Sequence, residues 1–307
     1  MSLAAGVPEE RGRPRESARP GQWARLRLRV RRLRFTWLAT VGIAILVLIV
    51  LVAAFAPHVT PYDPSRAQVM DRLQPPMSVD RAGNLHLLGT DTLGRDILTR
   101  VVYGARVSLL VGLSSVLIGG LLGITLGLLG GYWGGLLDDV MMRVADVQLA
   151  LPGMLLYIAV LAAFGGGLTN IIVILGITGW VSYARLVRGQ VLALRKSEFV
   201  DAARSIGAGP ARIMVRHLLP NVIGPVIVVA SFSVARNIIA EASLSFLGVG
   251  VPASVPTWGS MLSEARDTLR QAWWPATFPG VALVLVVLAI NSVGDWLRDY
   301  LDPRLKE

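Results

Sequence analysis

Along this chain, apolar positions gather into long unbroken runs rather than alternating stripes. From Trp37 to Ala56 no charged residue interrupts 20 positions, about 30 Å of helix at ~1.5 Å per residue, which is the thickness of a bilayer core. Further runs extend over Val107 to Gly135, Val147 to Phe164, Asn170 to Ala184, Asn221 to Val249 and Phe278 to Val293. The pattern predicts an all-α membrane protein with six transmembrane helices. The fourth run is short at 15 residues, so its helix is expected to continue into Arg185 and Arg188, whose stems can carry their charges to the head groups. Ala54-Phe55-Ala56 resembles a signal-peptidase site, but the apolar run before it exceeds the ~7–15 residues of a signal core, so the first span reads as an uncleaved anchor.

The polar segments between the runs set an orientation. Of 30 Lys and Arg, 21 fall in residues 1–36, 136–146, 185–220 and 294–307, against 8 in residues 57–106 and 251–277. By the positive-inside rule the first group is cytoplasmic, and so are both termini. Residues 1–36 are then a basic cytoplasmic tail and 37–56 the first transmembrane helix. Residues 57–106 are an extracytoplasmic segment, and 107–293 a five-helix core with a cytoplasmic loop at 185–220. Residues 294–307 are a cytoplasmic C-terminal tail. Within 57–106 the first part is Pro-rich, while Leu93, Ile97, Leu98 and Val101 predict an amphipathic helix lying along the outer interface. Trp258, Trp273 and Trp274 in the second outer segment read as interfacial belt anchors.

Composition narrows the chemistry. With 53% hydrophobic residues and 16% charged, against ~25% charged in soluble domains, a single soluble domain is excluded. There is no cysteine and only three histidines, which removes disulfides, thiolate zinc sites and cysteine nucleophiles and leaves no metal site. The net charge of +10 owes much to the first 36 residues, where 10 Lys/Arg meet 3 Asp/Glu directly before an apolar run. That is a membrane-flanking tail rather than a nucleic-acid surface. No G-x-x-x-x-G-K-[ST], G-x-S-x-G or H-E-x-x-H occurs, so no nucleotide loop, hydrolase elbow or zincin helix is present.

Lipid supplies no hydrophobic drive between helices, so close packing must come from small residues. Ser115, Gly119, Gly123, Gly127 and Gly131 recur every fourth position in the second span, which stacks them on one face. Helix packing is the plain reading of that stripe; a surface that slides during transport needs the same glycines. Charge within a span usually faces a cavity or a partner, so Arg236 and Glu241 are candidate pathway or partner contacts, with Asn237 and Asn291 as polar companions. An intrahelical pairing of Arg236 and Glu241 is equally compatible with the sequence.

The longest inner loop carries KSEFVDAARSIGAGPARIMVRHLLPN, Lys196 to Asn221, which reads as two short helices. Ser197 can cap the first, with Glu198 and Asp201 favoured by the dipole in its first turn. Phe199, Ala202, Ala203 and Ile206 fall at i, i+3, i+4 and i+7, an apolar stripe with small residues at its centre. Gly207 suits a left-handed C-terminal position and Pro210 the first turn of the next helix. Ala211, Met214, Val215 and Leu218 repeat the spacing, Pro220 marks re-entry to the membrane, and Arg204, Arg212, Arg216 and His217 keep the other faces wet. Such a hairpin outside the bilayer must bury its stripe against a partner, or fold back on its own bundle.

Asp201-Ala202-Ala203, three residues, Gly207, nine residues, then His217-Leu218-Leu219-Pro220 resembles the EAA loop of ABC importer permeases, EAA-x3-G-x9-I-x-LP. Asp201 stands where the family has Glu, and His217 where it has Ile. A second block, Leu88-Gly89-Thr90-Asp91-Thr92-Leu93-Gly94-Arg95-Asp96-Ile97-Leu98 continuing to Gly104-Ala105-Arg106, resembles the signature that precedes the core helices in C-type permease subunits of dipeptide, oligopeptide and nickel importers. The resemblance covers residues 37–303. It implies a type I ABC importer permease fold in the bacterial inner membrane and a homologous B-type permease subunit as partner. Two cytoplasmic ABC ATPase subunits would bind the paired EAA loops and hold ATP and Mg, since this chain carries no cofactor. An extracytoplasmic substrate-binding protein would deliver the solute. Peptide transport is the implied function. The alternatives are nickel or another small solute carried by the same family, or a secondary transporter, for which Glu241 is the one candidate coupling carboxylate. On this reading Ala203→Arg or Gly207→Val is expected to uncouple transport without preventing membrane insertion.

Overall fold

The computed structural model describes residues 37–252 and 254–301; the basic tail at 1–36 and the last six residues of the C-terminal tail lie outside the described residues. Helix α1 spans Trp37–Ala54 and is followed by the single turn α2, Ala56–Val59. A two-stranded hairpin comes next, β1 (Ser78–Val79) pairing antiparallel with β2 (Leu85–His86), Ser78 opposite His86. The bundle then comprises α3 (Ile97–Trp133), α4 (Gly135–Ala150), α5 (Gly153–Phe164) and α6 (Leu168–Leu194). Helices α7 (Glu198–Ser205) and α8 (Pro210–Ile213) lead into α9 (Leu219–Phe246), α10 (Trp258–Ala265) and α11 (Trp274–Leu301).

Five helices are long and apolar enough to cross a membrane, and α4 with α5 forms a bent pair at 91° that makes a sixth. The expected straight third span, Val147 to Phe164, is therefore corrected. Pro152 lacks the N–H that would continue the ladder and forces Leu151 into an extended conformation (φ −93°, ψ 134°), so α4 ends there. That the pair crosses follows from register. Gly119 of α3 lies against Gly176 of α6, Gly127 against Ala184 and Gly131 against Val191, so α3 and α6 run parallel and the chain between them must return. Two helices of 16 and 12 residues meeting near a right angle span about 30 Å end to end at ~1.5 Å per residue, enough for that return.

The same register explains the glycines. A Cβ on Gly119 would stand 2.8 Å from the Gly176 carbonyl oxygen, on Gly123 2.5 Å from Tyr183 Cβ, on Gly127 2.7 Å from the Ala184 carbonyl oxygen and on Gly131 2.9 Å from Val191 Cβ. The stripe lets the two backbones touch, which is the attraction available to helices in lipid. Ser115, one step earlier, accepts a hydrogen bond from Asn237 Nδ2 at 2.9 Å and ties α3 to α9.

The separate interfacial helix expected from Thr92 is absent among the described residues. Thr92–Asp96 is a tight turn, and the helix that begins at Ile97 runs unbroken to Trp133. Leu93, on which the amphipathic reading leaned, lies before the cap and is 43% exposed.

Candidate functional site: the coupling hairpin and the capped outer block

Helix α7 begins at Glu198 with Ser197 in the N-cap position, yet the Ser197 hydroxyl donates back to the Leu194 carbonyl at 2.5 Å instead of capping. The amides of Val200 and Asp201 bond the Ser197 carbonyl at 3.0 and 3.2 Å. At the other end Gly207 adopts φ +81°, and a Cβ placed on it would meet nothing within 4 Å, so the constraint is backbone conformation rather than space. The Gly207 amide bonds Arg204 O at 2.9 Å and the Ala208 amide bonds Ala203 O at 3.0 Å, the paired bonds of a Schellman end.

The apolar stripe divides between two partners. Val200 and Ala203, 0% and 4% exposed, pack inward with Ile213, Met214 and Leu218 onto Leu128, Tyr183, Val187, Val191, Val222 and Val226. Phe199, Ala202, Ile206 and Val215 stay outside, Ile206 at 85%. Of the two alternatives the sequence leaves open, each takes part of the stripe: Val200, Ala203, Ile213, Met214 and Leu218 anchor the hairpin to its own bundle, and Phe199–Ala202–Ile206 is the exposed edge. Glu198, Asp201 and Arg204 are exposed, with Arg204 Nη1 on Asp201 Oδ1 at 3.1 Å.

The second helix of the hairpin is not separate. After one turn of α8, Met214–Leu218 forms a π turn closed by the Leu219 amide on the Met214 carbonyl, and α9 follows without a break. Pro220 explains the widening, because a proline ring cannot sit against the carbonyl four residues earlier in a regular α-helix. His217 is half-buried in this turn, its carbonyl taken by Asn221 Nδ2 at 2.6 Å. The rod from Pro210 to Phe246 is thus continuous, and α7 joins it through residues 206–209 and joins α6 through the three residues 195–197.

The block from Gly89 to Arg106 is a second built unit. Gly89 and Gly94 take φ +79° and +75°, and a Cβ on Gly89 would meet Pro75 C and Trp274 Nε1 at 3.0 Å. The Thr90 hydroxyl donates to Asp71 O at 2.6 Å and accepts from the Gln74 amide at 2.8 Å. Asp91 Oδ1 takes the amides of Leu93 and Arg95 at 2.8 and 2.9 Å, and Oδ2 takes Arg95 Nε at 2.6 Å and Arg100 Nη1. Asp96 caps α3, its Oδ2 accepting from the Thr99 amide at 2.8 Å, while its Oδ1 meets His86 Nδ1 at 2.9 Å. Gly104 lies against the Trp258 ring and Arg106 is exposed, 5.8 Å above the Tyr103 ring.

The sequence pattern of the binding-protein-dependent transport system inner membrane component family matches residues 123–307, and that of the N-terminal TM domain of oligopeptide transport permease C matches residues 23–76. The di/tripeptide transport system permease protein DppC of Pseudomonas aeruginosa is 46% identical over 86% of this chain and 88% of its own length. The oligopeptide transport system permease protein OppC of Bacillus subtilis is 41% identical over 90% and 88%. The glutathione transport system permease protein GsiD of Pectobacterium atrosepticum is 44% identical over 86% of each chain. The chain belongs to the inner-membrane permease family of binding-protein-dependent ABC importers. Among solved structures, a chain of the MetNI methionine ABC transporter shares its fold with a TM-score of 0.55 at 20% identity, covering 67% of this chain and 98% of that one.

This multi-pass inner-membrane permease keeps most of its intramembrane polar groups to itself. Asn237 is buried on Ser115, and Glu241 is fully buried, accepting from Ser245 Oγ at 2.7 Å with the Ser108 and Thr257 hydroxyls alongside. Both are removed from the pathway candidates, because they face the chain's own helices. Arg236 and Glu241 do not pair. Arg236 is exposed, donating from Nη2 to Ser233 Oγ at 3.1 Å, and Asn291 is half-buried.

Several residues that organise the permease carried no sequence signal. Arg100 is 1% exposed and bridges Asp91 to Glu264 of α10. At the other end of the bundle Asp138 of α4 accepts from Nε and Nη2 of Arg188, and Arg195 donates to the Gly131 and Tyr132 carbonyls at 3.1 and 3.3 Å, closing the end of α3. Two of the three outer tryptophans are also corrected. Trp258 is 1% exposed with Nε1 on Val101 O at 3.0 Å, and Trp274 Nε1 reaches Thr90 O at 3.2 Å. They lock the outer block, and Trp273 alone of the three is well exposed, at 56%.

Proposed function

We propose that this permease carries peptides inward and receives the work for it through α7. The observation that supports the reading is the hairpin's two-sided construction: one face is packed into the bundle by Val200, Ala203, Ile213 and Leu218, and the opposite edge leaves Phe199, Ala202 and Ile206 exposed. An exposed apolar edge packed beside a rod continuous with a membrane helix suits a partner that pushes. The partners proposed are two cytoplasmic ABC ATPase subunits, which bring the ATP and Mg, together with a homologous second permease and an extracytoplasmic binding protein that delivers the solute. Peptide as substrate class follows the names of the relatives, which are di/tripeptide, oligopeptide and glutathione permeases.

Coupling is then a shift between two states. Closure of the ATPase pair on ATP favours one position of the hairpins, and the continuous α8–α9 rod passes that preference to the bundle. With α7 cytoplasmic, both termini are cytoplasmic too, given six crossings and the Lys/Arg bias. The lack of native cysteine makes the side assignment testable: Ser205→Cys and Gln271→Cys, both exposed positions, are expected to label from opposite sides of sealed vesicles. For function, reconstituted uptake of a labelled tripeptide is expected to require ATP, the binding protein and the ATPases together. Uptake by the purified chain alone would overturn the reading.

A further inference from the structure

Two arginines flank the coupling helix, and both reach the same end of α3. Arg195, in the link ahead of α7, donates from Nη1 to the Gly131 and Tyr132 carbonyls at 3.1 and 3.3 Å. Arg204, in the last turn of α7, sets its guanidinium carbon 5.7 Å from the centre of the Tyr132 ring. That lies within the ~6 Å over which an aromatic face attracts a cation. Asp201 Oδ1 takes Nη1 of the same guanidinium at 3.1 Å, a second contact that narrows where the cation can lie. Tyr132 itself is half-buried, packed on the cluster that takes in Val200 and Ala203 from the inner face of α7. One side chain thus serves both the apolar footing of α7 and its charged last turn.

Val200 and Ala203 are small and stand one turn apart on a single line along α7, about 4.5 Å at ~1.5 Å per residue. Packing along one line sets how close the helix sits and resists rolling about that line poorly. An arginine reaching sideways to Tyr132 adds a contact off the line. The helix it reaches is α3, which runs unbroken from Tyr132 back to Arg100, 32 residues or about 48 Å at ~1.5 Å per residue. There Arg100 is held between Asp91 and Glu264.

We propose that Tyr132 is a positioning residue for coupling: with Arg204 it seats α7 on the end of α3, so that displacement of α7 moves α3 together with α9. The inference rests on the coupling reading given above.

The test measures tripeptide taken up per ATP hydrolysed by the full complex in proteoliposomes, with the binding protein present. The ratio is independent of folding yield, which is what a merely structural role would change. Tyr132→Leu keeps an apolar side chain on the cluster and removes the ring. It is expected to lower the ratio about two- to fivefold, the worth of a half-exposed cation–π contact. Tyr132→Phe keeps the ring and is expected to keep the wild-type ratio. Arg204→Gln, at an exposed position, is expected to repeat the loss, and Arg204→Lys to recover most of it. A wild-type ratio in Tyr132→Leu or in Arg204→Gln overturns the proposal. So does a loss in Tyr132→Phe equal to that in Tyr132→Leu, which assigns the effect to the hydroxyl. Ile206→Asp separates this proposal from the reading beneath it. Wild-type uptake in that variant overturns α7 as the coupling edge and the role of Tyr132 with it, whereas lost uptake there beside an unchanged ratio in Tyr132→Leu overturns the role of Tyr132 alone.

Discussion

Arg100 and Glu264 lie 164 residues apart in sequence and meet as a two-point pair, Nη1 on Oε2 at 2.7 Å and Nη2 on Oε1 at 3.2 Å. The guanidinium is almost wholly buried and the carboxylate side chain 24% exposed. The pair fastens α10 to the first turn of α3, and Asp91 completes it from the outer loop.

Glu264→Ala leaves Arg100 buried with Asp91 as its remaining carboxylate. Breaking a fully dry pair costs ~3–5 kcal/mol, and partial exposure of Glu264 lowers the expected loss to about 2–3 kcal/mol. Thermal unfolding of the detergent-solubilised complex measures it. A midpoint within a degree of wild type would show that the pair contributes no stability.

Two glycines of α3, three residues apart, are expected to respond in opposite ways. Gly123→Ala places its Cβ 2.5 Å from Tyr183 Cβ and must push α3 from α6, whereas Gly120→Ala meets nothing within 4 Å. The first is expected to destabilise by about 1–3 kcal/mol through overpacking. The second is expected to be neutral or stabilising by up to ~1 kcal/mol through helix propensity. Equal midpoints for the two variants would refute the account of the stripe.

The crossings were readable because hydrocarbon imposes a length on every span, and residues 37–56 or 107–135 could hardly be anything else. The bend at Pro152 was signalled by one proline inside an apolar run, a cue that the length argument overrode. The division of the α7 stripe was not readable, since Ala203 and Phe199 have the same period and only tertiary contact tells which faces Leu128 and Tyr183. Arg100 and Glu264 were invisible for a different reason: pairing over 164 residues leaves no local spacing to detect.

At the hairpin, exposure predicts which substitutions touch coupling alone. Ile206→Asp, at 85% exposed, is expected to leave stability within about 0.5 kcal/mol and to lower peptide uptake about tenfold or more by placing an unpaired charge in the proposed ATPase contact. Ala203→Arg, at 4% exposed, must force a charge into the cluster around Leu128 and is expected to damage the chain itself. Folding yield and uptake measured together distinguish them. Wild-type uptake in the Ile206 variant would remove α7 as the coupling edge.

Acid titration isolates the β1–β2 turn. The Asp80 carboxyl is held below its ordinary 3.8, chiefly by the Asn84 side-chain amide at 2.8 Å and, against the opposing effect of burial, by the Asn84 and Ala82 backbone amides and nearby His86. A carboxyl lowered on folding contributes its full stability above the unfolded value and loses it as the pH falls through the folded one. Asn84→Ala removes the largest of these contributions while the backbone amides stay. The variant is expected to unfold below wild type at pH 7, with the gap beginning to close as acid takes the proteins under the unfolded value near pH ~4 and gone only below the lowered folded value, where Asp80 is protonated whether folded or not. Unfolding midpoints followed from neutral to acid pH give that gap directly, and one that widened on acidification would mean that the amide bonds the neutral acid instead.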